Sequence, residues 1–191
     1  RDLQMAMVPG EFSDITADRP LAMSAAMEPA REVGGDFYDA FALSDDLVCL
    51  CIGDVADKGV PAALYMAVTK TLIRALAKGQ TSSARIVQLV NAELCQNASG
   101  GMFVTVFLAI LNLRTGKLVY TNAGHNPPYL IRGTGEVQAI EDRNGPVIGA
   151  ETGVEFTETS LLLLGGETLF LYTDGVTEAI VGTLDRITNV G

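Results

Sequence analysis

Aspartates that follow apolar stretches are the residues of this sequence best suited to chemistry. Residues 47–54 read LVCLCIGD, an apolar strand that ends in Asp54, and a short loop and a helix follow. A carboxylate at the edge of a core, close to open backbone, suits a hard cation, which prefers carboxylate and carbonyl oxygens. A turn or helix-capping role is the alternative for such an aspartate. The choice depends on whether other acids occupy comparable positions.

Three further aspartates stand at comparable positions. Asp36 follows two glycines, Asp174 ends the apolar run 169–173, and Asp185 opens a short β-prone run. A hairpin turn at residues 45–46 would place Asp36 and Asp54 on adjacent antiparallel strands. Acids that converge at one sheet edge cannot all stay ionised without cations between them. Two divalent ions would meet that need.

The chemistry available to such a centre is phosphoryl transfer to water. Two ions about 3.5–4 Å apart lower the pKa of a shared water and clamp a phosphoryl group for in-line attack. Oxygen ligands favour Mg²⁺ or Mn²⁺, and a single histidine with no CxxC pair argues against zinc. Cys49 and Cys51 are two residues apart on a strand and are predicted to be small buried hydrophobic residues on one face. No serine or cysteine has a base beside it, so a covalent phosphoenzyme is not predicted.

Composition narrows the class of protein. The 191 residues suit one domain, and 48% hydrophobic with 19% charged residues is an ordinary globular composition. A net charge of −10 without a basic stripe argues against nucleic-acid binding. No apolar run reaches transmembrane length. The three cysteines form no disulfide framework, so a reduced, cytoplasmic setting is expected.

The elements expected around these acids form an α+β domain. Apolar residues at helical spacing predict a helix from about residue 60 that Gly79 ends, and a second helix from residues 81–83 to about residue 97. From residue 102 the pattern predicts strands, and residues 154–164 and 167–173 read as a hairpin around two glycines. A sheet that is apolar on both faces needs a layer on each side. Two antiparallel sheets flanked by helices are therefore predicted.

Four motifs carry a resemblance to a known family. They are residues 32–39 (EVGGDFYD), 53–64 (GDVADKGVPAAL), 123–128 (AGHNPP) and 172–179 (YTDGVTEA). In this order they resemble the bacterial metal-dependent serine/threonine phosphatases, in the branch of the stage II sporulation protein E and RsbU-like stress-response proteins. The resemblance implies a four-layer α/β/β/α sandwich over residues 11–191. It also implies hydrolysis of phosphoserine or phosphothreonine on a partner protein.

The same resemblance assigns ligands for two Mn²⁺ or Mg²⁺ ions. It implies that Asp54 bridges both ions, that the carbonyl of Val55 ligates one, and that Asp174 binds one. Asp36 would ligate directly or through water. Asp54 and Asp174 are thus the expected catalytic residues, with a metal-held hydroxide attacking the phosphorus directly.

The last expected ligand, Asp185, departs from the family pattern. Residues 185–188 (DRIT) fit the final motif of the family. However, only the ten residues 175–184 separate Asp185 from Asp174, where the family has several tens including a helix. Either a segment is missing from the C-terminal part, which is the preferred interpretation, or Asp185 is a chance match.

Lys58 and His125 are candidate substrate-binding residues, and each has an alternative. Lys58 could attract phosphate as a point charge or simply be solvated. His125 could act as a general acid for the leaving alkoxide. It could equally stabilise its loop by hydrogen bonds beside two prolines, and that structural role is favoured.

Partners follow from the resemblance as well. The expected substrate is a phosphorylated anti-sigma-factor antagonist, and an upstream sensor domain would control activity. Residues 1–10 are read as the end of a linker helix from that domain, and a homodimer through this helix is compatible with the sequence. A catalytically inactive phosphatase-like binding or signalling module is the alternative function. Residues 34–37 (GGDF) also resemble the signature of diguanylate cyclases, but the glutamate of that signature is absent.

Overall fold

The computed structural model describes residues 12–17, 19–27, 34–96 and 101–177. The expected linker helix and Asp185 lie outside these residues. In chain order the elements are α1 (Ser13–Thr16), β1 (Phe37–Ala42), β2 (Leu47–Val55), α2 (Val60–Leu76), α3 (Ser83–Gln96), β3 (Val104–Asn112), β4 (Lys117–Ala123), β5 (Tyr129–Ile131), β6 (Val137–Ala139), β7 (Thr159–Leu162), β8 (Thr168–Phe170) and α4 (Asp174–Thr177).

Two antiparallel sheets form the centre of the domain and confirm the α+β class. The larger sheet has the strand order β1-β2-β3-β4-β7, and the smaller one has the order β6-β5-β8. Strands β2 and β3 are apolar and buried along nearly their whole length, so both faces of the larger sheet need cover. Helices α2 and α3 pack on one face and the smaller sheet packs on the other.

The alternation of side chains along β2 sorts the core into two layers. Cys49 and Cys51 point to the helices and pack in one cluster with Met66 of α2, which confirms that the two cysteines are buried on one face. Val48 and Ile52 point the other way, into the cluster between the two sheets. A strand's period of two residues produces this division.

Helix α2 begins where the sequence predicts, with a proline in its first turn. Proline is tolerated there because its missing N–H has no partner within the helix. The helix ends at Leu76, and Gly79 follows with a φ of +74°. Its buried side, which includes Ala62, Met66 and Ile73, faces the larger sheet.

The predicted hairpin around the two glycines 165–166 is wrong. Strand β7 pairs with β4 in the larger sheet, whereas β8 pairs with β5 in the smaller sheet. Leu161 and Leu169 both pack against the cluster between the sheets, one from each side. A hairpin would place both strands in the same sheet, whereas this core must be covered from both sides.

The described residues supply three layers of the predicted four-layer sandwich: helices, larger sheet and smaller sheet. On the outer face of the smaller sheet, Tyr172 stacks between Tyr129 and Phe170, with ring centroids 5.8 and 5.9 Å away. Among the described residues no helix covers these rings, and Phe170 is 46% exposed. No described helix combines the length and the apolar character needed to cross a bilayer.

Candidate active site

Asp36 and Asp54 meet at the open end of strands β1 and β2. The antiparallel register pairs Phe37 with Gly53, so Asp36 lies opposite Asp54 just beyond the last pair. The two carboxyl groups hydrogen-bond to each other. The prediction that these acids stand on adjacent antiparallel strands is therefore confirmed.

The pairing of the two acids changes their protonation. Burial raises the pKa of Asp54 to about 7, and the neighbouring charges of Asp36 and Asp174 raise it in the same direction. Burial also raises the pKa of Asp36, although hydrogen bonds from Asp54 and Thr173 act against that increase. Asp54 is thus the protonated member of the pair, and it donates a hydrogen bond to the carboxylate of Asp36. Carboxylates this close cannot both ionise without a compensating positive charge.

Asp174 lies near this pair but is more exposed. It is the first residue of α4, and its charge raises the pKa of both Asp36 and Asp54. The preceding residue contributes a direct link, because the hydroxyl of Thr173 donates to a carboxylate oxygen of Asp36 at 3.2 Å. The fold therefore joins two of the four predicted aspartates directly and places Asp174 near enough for its charge to act on both.

The donor set of these residues fits a hard divalent cation. All the groups that meet here offer oxygen, which suits Mg²⁺ or Mn²⁺ better than zinc. The shared proton lies between the carboxyl groups of Asp36 and Asp54. A cation bound there would relieve the same repulsion between the two negative charges. Within the described ranges, no group of three or more His, Cys, Asp or Glu side chains is arranged to hold a metal ion. The preformed part of the site is thus the acid pair, and Asp174 lies beside it.

Gly35 lets the backbone before Asp36 approach Val55 closely. A Cβ on Gly35 would lie 2.6 Å from the Cβ of Val55 and 2.9 Å from its carbonyl oxygen. That carbonyl accepts a hydrogen bond from the backbone N–H of Asp57 at 2.8 Å. A carbonyl oxygen has a second lone pair, so the role expected for Val55 is compatible with this geometry and stays a prediction.

Lys58 and His125 occupy very different environments. Lys58 is exposed, and its charge acts to lower the pKa of Asp54, so the ammonium group lies close enough to influence the acid pair. His125 is only 6% exposed. One ring nitrogen lies 3.0 Å from the hydroxyl of Thr105 and the other lies 3.1 Å from the carbonyl of Tyr172. Burial lowers the pKa of His125 to about 4, so the ring is neutral at physiological pH.

Two residues of this region were not among the predicted ones, namely Thr105 and Thr173. Thr105 pairs with Asp54 across β2 and β3, and Thr173 precedes Asp174. Either could have been proposed from its position next to a predicted acid. Their roles, however, depend on hydrogen bonds between elements that are distant in sequence, which the local pattern does not specify.

The cysteines provide no nucleophile for the site. Burial raises the pKa of Cys49 to about 12 and that of Cys51 well above its ordinary value. The thiolate is the nucleophilic form of cysteine, so these two buried thiols are inert.

Comparison with known proteins agrees with the family that the sequence motifs resemble. The family model described as Stage II sporulation protein E (SpoIIE) matches residues 44–189. Protein IcfG of Synechocystis sp. is 34% identical over 94% of this chain and 32% of its own length. The phosphoserine phosphatase RsbU of Bacillus subtilis is 27% identical over 86% of this chain and 49% of its own length.

A solved structure extends the comparison to the fold. The crystal structure of the RsbU and RsbW domains of Rv1364c from Mycobacterium tuberculosis matches with a TM-score of 0.70 and 28% identity, over 84% of this chain and 44% of that one. The chain spans about a third of the length of IcfG and about half of the length of RsbU. The family match covers most of the chain and includes the motifs that contain Asp54 and Asp174. The chain belongs to the stage II sporulation protein E family, in the RsbU-like branch of the bacterial metal-dependent serine/threonine phosphatases.

Proposed function

We propose that this domain is a protein phosphatase that hydrolyses phosphoserine or phosphothreonine with two Mn²⁺ or Mg²⁺ ions. The observation that carries the proposal is the hydrogen-bonded pair Asp36 and Asp54, with Asp174 close enough to shift the pKa of both. Asp36 and Asp54 at the sheet edge, with Asp174 nearby at the start of α4, offer oxygen alone, which suits the binding of hard cations. Asp36, Asp54, Asp174 and the carbonyl of Val55 would hold them, and Asp185 would complete the set.

Each residue of the candidate site has a distinct role in this proposal. Asp54 gives up its proton when a cation binds, because the cation then supplies the compensating charge. Thr173 orients the Asp36 carboxylate through its hydrogen bond, and Lys58 adds a positive charge at the rim that attracts the phosphate dianion. Bound divalent ions contribute an activated water and neutralise charge on the transferring phosphoryl group. No protein nucleophile is required, which agrees with the inert cysteines.

The proposed substrate is a phosphorylated anti-sigma-factor antagonist. The Bacillus subtilis relative RsbU is named a phosphoserine phosphatase, and the Mycobacterium tuberculosis structure joins an RsbU domain to an RsbW domain in one protein. These relatives support a place in the same kind of stress-response signalling. Control by an upstream sensor domain belongs to the same proposal.

The test is Mn²⁺-dependent release of phosphate from a phosphoserine protein of this class. Wild type is compared with Asp54→Asn and with the control Asp46→Asn, at the other end of the same strand pair. We expect activity in wild type and the control, and a loss of at least 100-fold in Asp54→Asn. Circular dichroism confirms that each variant is folded. Absence of activity in wild type with Mn²⁺, or full activity in Asp54→Asn, contradicts the proposal.

A catalytically inactive binding module is the second candidate. It is favoured by the absence, within the described residues, of a ready-made cluster of three ligands. Isothermal titration separates the two functions. Binding of the phosphoprotein without turnover in the presence of Mn²⁺ supports the inactive module, and turnover supports the phosphatase.

A further inference from the structure

The segment that carries Asp174 is not held by strand pairing. Strand β8 ends at Phe170 and α4 begins at Asp174, so residues 171–173 lie outside regular structure. Two hydrogen bonds connect this segment to distant elements. Thr173 donates to Asp36, and the carbonyl of Tyr172 lies 3.1 Å from Nε2 of His125. Stacking of Tyr172 on Tyr129 and Phe170 and packing of Leu171 also anchor this segment to the smaller sheet. The hydrogen bonds from Thr173 and His125 link it towards the strands that carry Asp36 and Asp54.

The partners of the His125 ring determine its tautomer. A backbone carbonyl can only accept a hydrogen bond, so Nε2 must carry the proton that is donated to Tyr172. In a neutral ring Nδ1 is then an acceptor, and the hydroxyl of Thr105 donates to it at 3.0 Å; the backbone carbonyl of Asp54, at 3.4 Å from the same hydroxyl, is the more distant acceptor. Thr105 pairs with Asp54 across β2 and β3. The ring thus connects the strand pair that carries Asp54 with the segment that carries Asp174.

The loop around His125 is itself fixed. The side chain of Asn122 accepts from the N–H of His125 at 2.8 Å and donates to its carbonyl at 3.1 Å. The backbone N–H of Asn122 in turn donates to the side chain of Asn144 at 2.9 Å. A buried and fully bonded polar network of this kind is rigid. The imidazole is therefore a fixed spacer between Thr105 and Tyr172.

We propose that His125 is a positioning residue, whose neutral imidazole links Thr105 to the Tyr172 carbonyl and so holds Asp174 beside Asp36 and Asp54. This inference rests on the proposed function, because the cation held by these acids makes the position of Asp174 consequential. A direct contact with substrate does not suit a ring that is 6% exposed and has both nitrogens engaged. The residue acts through Asp174.

Two amide substitutions separate this role from simple packing. The side-chain nitrogen of His125→Gln can take the place of Nε2 and donate to Tyr172. The shorter His125→Asn can reach only the position of Nδ1. Removing a residue that orients a metal ligand typically lowers metal affinity about 10- to 100-fold. We therefore expect His125→Asn and His125→Ala to weaken Mn²⁺ binding by about that factor, and His125→Gln to stay within about threefold of wild type.

The experiment measures Mn²⁺ affinity by electron paramagnetic resonance of the free ion, alongside urea unfolding and phosphate release at saturating Mn²⁺. Thr105→Val is a further variant, which removes the donor to Nδ1 and keeps the side-chain volume, and we expect an intermediate loss of affinity. Nitrogen NMR of wild type should show a neutral His125 with its proton on Nε2. If His125→Ala does not fold, the positioning role is judged from two other results. These are the comparison of His125→Gln with His125→Asn and the Mn²⁺ affinity of Thr105→Val.

The outcomes distinguish this inference from the proposed function. Wild-type affinity in His125→Asn and Thr105→Val, or a proton on Nδ1, overturns the positioning role while the phosphatase proposal stands. Equal losses in the Gln and Asn variants overturn it as well, because they indicate a packing role. If wild type binds no Mn²⁺ and releases no phosphate, the proposed function fails, and the positioning role fails with it.

Discussion

Asp54 donates a hydrogen bond to Asp36 across the open end of β1 and β2. The strand register brings the two carboxyl groups together, and burial keeps them from being solvated independently. Because the pKa of Asp54 is about 7, the pair keeps a proton to a much higher pH than two separate aspartates would. A divalent cation that replaces this proton carries a larger positive charge and should therefore stabilise the folded protein.

This relationship predicts an unusual dependence of stability on pH. The pKa of Asp54 is about 7 in the folded protein against an ordinary value of 3.8. Between these values the folded state binds a proton that the unfolded state has released, so this group makes the free energy of unfolding fall as pH rises from about 4 to 7. Burial of His125 acts in the opposite direction between about 4 and 6.5. The contribution of Asp54 is therefore measured as the difference between wild type and Asp54→Asn.

The measurement is urea unfolding in a chelator and in Mn²⁺, at pH 5 and pH 8. In the chelator we expect Asp54→Asn to gain stability relative to wild type on going from pH 5 to pH 8. Mn²⁺ at about 100 times its Kd should stabilise wild type by about 2.7 kcal/mol at pH 8, and by less at pH 5 because protons compete. Asp46→Asn is the control and should follow wild type. Equal pH dependence in wild type and Asp54→Asn would count against the shared proton.

Gly35 provides a second prediction, which concerns backbone packing. A Cβ there would lie 2.6 Å from the Cβ of Val55, so Gly35→Ala should separate the segment before Asp36 from β2. We expect a loss of about 1–3 kcal/mol in the free energy of unfolding, together with weaker Mn²⁺ binding. Gly165→Ala is the matched control, because nothing lies within 4 Å of its added methyl group. Similar unfolding curves for the two variants would show that the close approach is unimportant.

The sequence predicted the acid pair because each aspartate adjoins an apolar strand and a short connection, residues 43–46 in the structure, joins the strands. That local information determines the register, which in turn places Asp36 opposite Asp54. It did not predict the sheet to which β7 and β8 belong. Both strands have apolar residues at similar spacing. Leu161 and Leu169 lie in different sheets only because the core between the sheets must be covered from both sides.

The sequence favoured a structural role for His125 but did not identify its partners, for a related reason. A histidine between Gly124 and Asn126 has the same local pattern whether its ring faces solvent or core. Its partners, Thr105 and Tyr172, are 20 and 47 residues away along the chain. Hydrogen bonds over such separations follow from the tertiary fold and not from a motif.

A third prediction concerns the ion pair between Asp39 and Arg74. The Asp39 carboxylate is 1% exposed and accepts two hydrogen bonds from the Arg74 guanidinium, at 2.7 and 2.8 Å. Removing one partner of a buried pair leaves an uncompensated charge, so Arg74→Ala should lower the free energy of unfolding by about 3 kcal/mol. We take the low end of the usual range because Arg74 is 49% exposed and Lys70 lies 3.9 Å from the same carboxylate.

The control for the ion pair is the double variant Asp39→Leu with Arg74→Leu. Replacing a whole buried pair by apolar side chains is often neutral or stabilising, so the double variant should be more stable than Arg74→Ala. Chemical denaturation of wild type, Arg74→Ala and the double variant measures these differences in the free energy of unfolding. A double variant as unstable as the single one would indicate that packing, including the contact of Arg74 with the Phe41 ring, is the larger contribution.

The last prediction concerns Lys58, whose charge reaches Asp54 while its side chain is exposed. If the ammonium attracts the phosphate group, Lys58→Ala should raise KM for a phosphoserine protein by up to about fivefold, which corresponds to at most about 1 kcal/mol for an exposed charge. The increase should shrink at high salt, because the Debye length shortens. Lys78→Ala, an exposed lysine in the turn after α2, is the matched control. Neither variant should change the free energy of unfolding by more than about 0.5 kcal/mol. An equal KM for both variants at low salt would assign Lys58 to the solvated surface, and the recognition of phosphate would then rest with the cations alone.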